Sequence, residues 1–93
     1  MMTDTVSKDL CDALARVDTQ AAMHAVLVDL CTPAELRALS ERWRVAQMLF
    51  EGEKSYREIS AETGVSTTTI GRVSRFLKDE PYGGYRLLLE MQS

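Results

Sequence analysis

The chain has 93 residues, 45% of them hydrophobic and 27% charged, with a formal net charge of −3. That length fits one domain, residues 1–93, and the chain shows neither the low-complexity tract nor the charged tail of a disordered protein. No apolar run approaches the roughly 18 residues needed to cross a bilayer. The N-terminus has no signal-peptide pattern, so a cytoplasmic location without a membrane partner is expected.

The periodicity is helical from the start. Leu10, Leu14 and Val17 recur at helical spacing, and Met23, Leu27 and Leu30 repeat the pattern after Thr19, a suitable N-cap. No segment alternates apolar and polar residues long enough to make a strand. Cys11 and Cys31 sit at neither disulfide-framework nor zinc spacing and read as small buried hydrophobes. His24 reads as a helix-surface residue. Without a glycine-rich phosphate loop or a nucleophile–base signature, neither an enzyme nor a cofactor or metal is expected.

Thr32-Pro33-Ala34-Glu35 has the form of a capping box, with proline at the first helical position, where its missing N–H costs nothing. The spacing predicts a helix from about Pro33 to Glu51. Leu36, Leu39, Trp43, Ala46 and Phe50 form an apolar stripe along it, and Gly52 supplies the stop. Ser55-Tyr56-Arg57-Glu58 is a second capping box, opening a helix that ends before Gly64. Ser66 caps the next helix, which runs to about Lys78 and is broken by Asp79-Glu80-Pro81. Tyr85 to Met91 reads as a last short helix.

Residues 55–78 fit a helix-turn-helix. Ile59, with Ser60 and Ala61 alongside, packs the first helix on the second; Gly64 turns the chain; Val65 returns to the core. Ile70, Val73 and Leu77 face inward, which turns Thr67, Thr68, Gly71, Arg72 and Arg75 outward, with Lys78 near the end. Short groups at the N-terminal end suit close approach to base edges in the major groove, while arginines clamp phosphate or read guanine. Ser66 and the helix N-terminus offer amide donors to a phosphate. Charge agrees: residues 54–78 carry five bases and two acids, although the whole chain is acidic. Arg57, Ser66, Thr67, Thr68, Gly71, Arg72, Arg75 and Lys78 are therefore the expected DNA-contacting set, with double-stranded DNA the partner.

These stretches resemble the Trp repressor superfamily, in its Trp-repressor-related (YerC/YecD-type) branch. The resemblance runs through Leu30-Cys31-Thr32-Pro33-Ala34-Glu35, Arg42-Trp43-Arg44, Gly52 to Ile59, and on through Gly64 to Leu77-Lys78. It implies six helices, an intertwined homodimer with the third helix as its spine, and two helix-turn-helix heads on a palindromic site. Leu10, Leu14, Leu27, Leu36, Leu39, Trp43 and Phe50 are expected in the shared core.

In tryptophan-binding members of that family two arginines sandwich the indole, and Arg42 and Arg72 match them. Thr32 matches a pocket threonine. Val73 stands where a glycine is usual, Phe76 where a serine receives the ligand's amino group, and Asp29 and Cys31 replace two apolar residues. The added bulk and lost polar partner predict no tryptophan binding, with Phe76 as core packing. A regulator sensing another small molecule through Thr32, Arg42 and Arg72, and a protein-interaction module on the same scaffold, are the alternatives.

Overall fold

The computed structural model describes residues 6–92, which form six α-helices and no strand. They are α1 (Lys8–Leu14), α2 (Gln20–Leu30), α3 (Pro33–Glu51), α4 (Tyr56–Thr63), α5 (Thr67–Lys78) and α6 (Gly84–Met91). The chain divides into two compact units, one ending at Leu36 and the other starting at Arg37. No helix of the described residues is long and apolar enough to cross a membrane.

In the first unit local caps define the helices. The Ser7 hydroxyl accepts from the Leu10 amide (3.0 Å) and Thr19 Oγ1 from the Ala22 amide (3.1 Å). At the start of α3 the capping box closes both ways: the Thr32 amide donates to Glu35 Oε1 (2.8 Å) and the Glu35 amide to Thr32 Oγ1 (3.1 Å). Two expectations need correction here. Helix α1 stops at Leu14, so Val17 lies outside it. Cys11 is exposed and Cys31 half-buried, because α1 and α2 bury no residue within the single chain. Leu10, Leu14, Leu27 and Leu36 are half-buried, and His24 is on the surface as expected.

The second unit holds the core. Val45, Ala46, Met48 and Leu49 from α3 meet Ile59, Val65, Ile70, Val73, Leu77 and Leu89. Ile59, Ile70, Val45 and Val73 are fully enclosed, and burying a side chain of this size contributes about 1.5–3 kcal/mol. Trp43 and Tyr85 pack partly against this cluster. The stripe expected along α3 is buried only in part: Ala46 is fully enclosed and Trp43 packs on the cluster, but Leu39 is 42% and Phe50 48% exposed. Apolar residues occupy more than one side of α3, and the second unit covers the side bearing Val45, Ala46, Met48 and Leu49.

Candidate nucleic-acid interface

Helix α4 begins with the predicted capping box. The Glu58 amide donates to the Ser55 hydroxyl (3.1 Å), and the Ser55 amide donates to Glu58 Oε1 (2.8 Å). The Ser55 amide, then the Ser55 side chain and the charge of Lys54, hold the Glu58 carboxyl below its ordinary pKa. Gly64 ends the helix at φ +79°, a left-handed conformation that side chains disfavour, and its amide donates to the Ser60 carbonyl (2.8 Å). Thr63 locks the turn. Its hydroxyl donates to the Ile59 carbonyl (2.7 Å) and accepts from the Val65 amide (3.1 Å). Val65 is thereby delivered into the core.

Helix α5 packs on both α4 and α6. Ser66 caps it by accepting from the Thr69 amide (3.1 Å), and the same hydroxyl donates to Thr69 Oγ1 (3.1 Å). The Ser66 hydroxyl is thus committed within the chain. The amides of Thr67 and Thr68 precede the first intrahelical bond, from Ile70 to the Ser66 carbonyl (3.0 Å), and open from the helix end.

Ile70, Val73 and Leu77 are buried as predicted, together with Ser74. Thr67, Thr68, Arg72, Arg75 and Lys78 are exposed and Gly71 is half-buried on the outer side. A Cβ added at Gly71 would meet no atom within 4 Å, so the space over that residue is open. Arg57 is exposed near the start of α4. Ala61, expected to support the packing of α4, is exposed, while Ser60 is half-buried; Ile59 alone among these is fully inside.

Phe76 departs from expectation. It is half-buried and stands outside the hydrophobic core. The Arg72 guanidinium carbon lies 4.3 Å from the centre of its ring and that of Arg75 5.2 Å. The Tyr82 ring stacks nearly parallel to it at 6.2 Å between centroids. The position of Phe76 one helical turn beyond Arg72 explains the contact, since residues four apart share a helix face. Arg75 also pairs with the Glu80 carboxylate, 3.6 Å away.

A second charged group was not foreseen: Glu62 of α4 receives Arg44 (3.8 Å) and Lys54 (3.4 Å). Nothing local links Arg44 of α3 to Glu62; only the packed fold joins them. Of the residues expected to hold a ligand, Arg42 is half-buried, Arg72 is exposed against Phe76, and Thr32 is exposed with its hydroxyl used in the cap.

A glycine-turned helix pair whose second helix buries one face and presents hydroxyls and basic groups on the other defines a helix-turn-helix protein. The chain belongs to the Trp repressor protein family, whose model matches residues 6–93. The protein YerC of Bacillus subtilis (strain 168) is 53% identical over 49 residues, a match covering 53% of this chain and 46% of that protein. This chain thus matches about half the length of that relative. A TrpR-like protein from Eubacterium eligens ATCC 27750 superposes with a TM-score of 0.82 at 34% identity, over 91% of this chain and 86% of the other. A structure from Staphylococcus aureus, described as a candidate Trp repressor, gives 0.80 at 33% identity, over 90% and 82%.

Proposed function

We propose that this protein is a sequence-specific DNA-binding regulator that acts as a homodimer and does not respond to tryptophan. The observation that carries this reading is the division of α5: Ile70, Val73 and Leu77 are spent on the core, which leaves Thr67, Thr68, Gly71, Arg72, Arg75 and Lys78 to the outside. Short groups at its N-terminal end suit base edges in the major groove, and the basic side chains suit phosphates. Arg57 and the Thr67 and Thr68 amides add donors for the backbone; with the Ser66 hydroxyl engaged, Ser66 contributes by positioning them.

Homodimer formation is supported by what the single chain leaves uncovered. Besides Leu39 and Phe50, Leu87 and Leu88 of α6 are exposed, and α1 and α2 bury nothing. A second copy offering the same surfaces relieves all of these together.

Independence from tryptophan is supported by Arg72, which already lies over an aromatic ring of its own chain, and by Val73, which is fully buried. Phe76 thus already takes one face of the guanidinium that an indole would use.

Selection of genomic fragments by the purified protein, followed by salt titration on a selected duplex, tests the reading. Binding should weaken linearly in a log–log plot against salt, with a slope of about −0.9 for each phosphate contacted. Binding that ignores salt, or no selection over random fragments, would refute it. Light scattering should give twice the chain mass at micromolar concentration.

A further inference from the structure

We infer that Glu80 is an internal competitor for DNA phosphate: its carboxylate engages Arg75 in the free protein and weakens the hold of α5 on DNA. The inference rests on the DNA-binding reading above and adds a residue that tunes affinity.

Arg75 shares the outer face of α5 with Thr68, Gly71 and Arg72. Beyond Lys78 the chain doubles back: the amides of Asp79 and Glu80 both donate to the Arg75 carbonyl, at 2.7 and 3.0 Å. This turn brings the Glu80 carboxylate to 3.6 Å from Arg75 Nε. The guanidinium carbon also lies 5.2 Å from the Phe76 ring centre. Arg75 is thus oriented by a ring and a carboxylate before any DNA arrives.

Stability alone accounts poorly for acids at this place. The C-terminal end of a helix carries partial negative charge, so Asp79 and Glu80 are disfavoured there, whereas Arg75 and Lys78 are favoured. A solvent-exposed ion pair returns little. Both partners remain accessible, with the Arg75 side chain 56% and that of Glu80 33% exposed, so a phosphate has access to the guanidinium. A phosphate oxygen and the carboxylate present the same acceptor chemistry to it, and a carboxylate beside the contact repels the incoming phosphate as well.

The test compares the full-length wild type with Glu80→Gln, Arg75→Ala, the double variant and Asp18→Asn. The last makes the same change in net charge at an exposed site in the first unit. Each is titrated with a short mixed-sequence duplex at several salt concentrations, after circular dichroism confirms that it is folded. Glu80→Gln should bind about three- to five-fold more tightly at low salt, the scale of an exposed ion pair, with a salt slope steeper by up to about 0.9. In the Arg75→Ala background the same change should give less than half of that gain, and Asp18→Asn should give less than Glu80→Gln.

An equal gain with and without Arg75 would overturn the pairing and leave only a general charge effect. Unchanged affinity for Glu80→Gln, with salt-sensitive binding by the wild type, would overturn this inference alone. If no chain binds the duplex in a salt-sensitive way, the DNA-binding reading fails and this one with it.

Discussion

The Arg72 guanidinium rests over the Phe76 ring one helical turn further along α5, 4.3 Å from its centre. The contact holds one of the arginines that the resemblance assigns to indole binding against an aromatic group of the same chain. Calorimetry with millimolar tryptophan should therefore show no saturable heat. Phe76→Ala should lower stability by about 1–2 kcal/mol, combining lost ring burial with a cation–π contact worth about 0.5–1 kcal/mol at an exposed site. Thermal denaturation measures it. A saturable tryptophan isotherm for the wild type would overturn independence from tryptophan.

Thr68 and Arg57 should separate recognition from attraction. Thr68→Ala is expected to cost about 1–3 kcal/mol on the preferred duplex and much less on random DNA, as loss of a base-edge contact does. Arg57→Ala should weaken both duplexes to a similar degree and reduce the salt slope by about one. Competition titrations on the two duplexes distinguish these outcomes. If Arg57→Ala instead affects only the preferred site, Arg57 reads a base.

Gly71 gives a test in which stability and binding should move in opposite directions. The added methyl group meets nothing within 4 Å in the free protein, and alanine favours a helix over glycine by roughly 0.5–1 kcal/mol. Gly71→Ala should raise the melting temperature and still weaken DNA binding, because the methyl group fills the space into which the duplex must come. Unchanged affinity would mean that the groove does not approach the helix at this point.

Acid should act on the Ser55–Glu58 capping box. The bonds from Ser55 hold the Glu58 carboxyl below its ordinary pKa in the folded chain. Its contribution to stability is therefore complete above the unfolded carboxylate value and is lost as pH falls through the folded one. Denaturation midpoints taken from about pH 6 down to pH 3 should fall less steeply for Glu58→Gln than for the wild type. Equal acid slopes for the two chains would assign the acid sensitivity to other carboxylates.

Helix boundaries were most legible where a few adjacent residues define them. Both Thr-x-x-Glu and Ser-x-x-Glu boxes were readable because each closes within four residues, and α3 runs over the predicted Pro33–Glu51. The inner face of α5 was readable because Ile70, Val73 and Leu77 are its strongly apolar residues at helical spacing. The stripe on α3 was readable only at Ala46 and Trp43, since hydrophobicity marks Leu39 and Val45 alike and only the packing partners choose between them. Phe76 was misread for a related reason: an aromatic residue among core positions suggests burial, whereas two neighbouring arginines and Tyr82 take its ring. The bonds from Thr63 across the turn, and the meeting of Arg44 with Glu62, depend on a folded chain and leave little trace in the sequence.

The division of α5 into a buried face and an open one has a practical consequence. Residues 67, 68 and 71 carry little of the packing, so under the proposed DNA-binding function their identities form an address that is written apart from the scaffold. Exchanging them for those of another helix-turn-helix protein should redirect the chain to a different DNA sequence while its core, caps and turn stay as they are. The same scaffold then becomes a platform on which new targets are installed by editing three neighbouring positions.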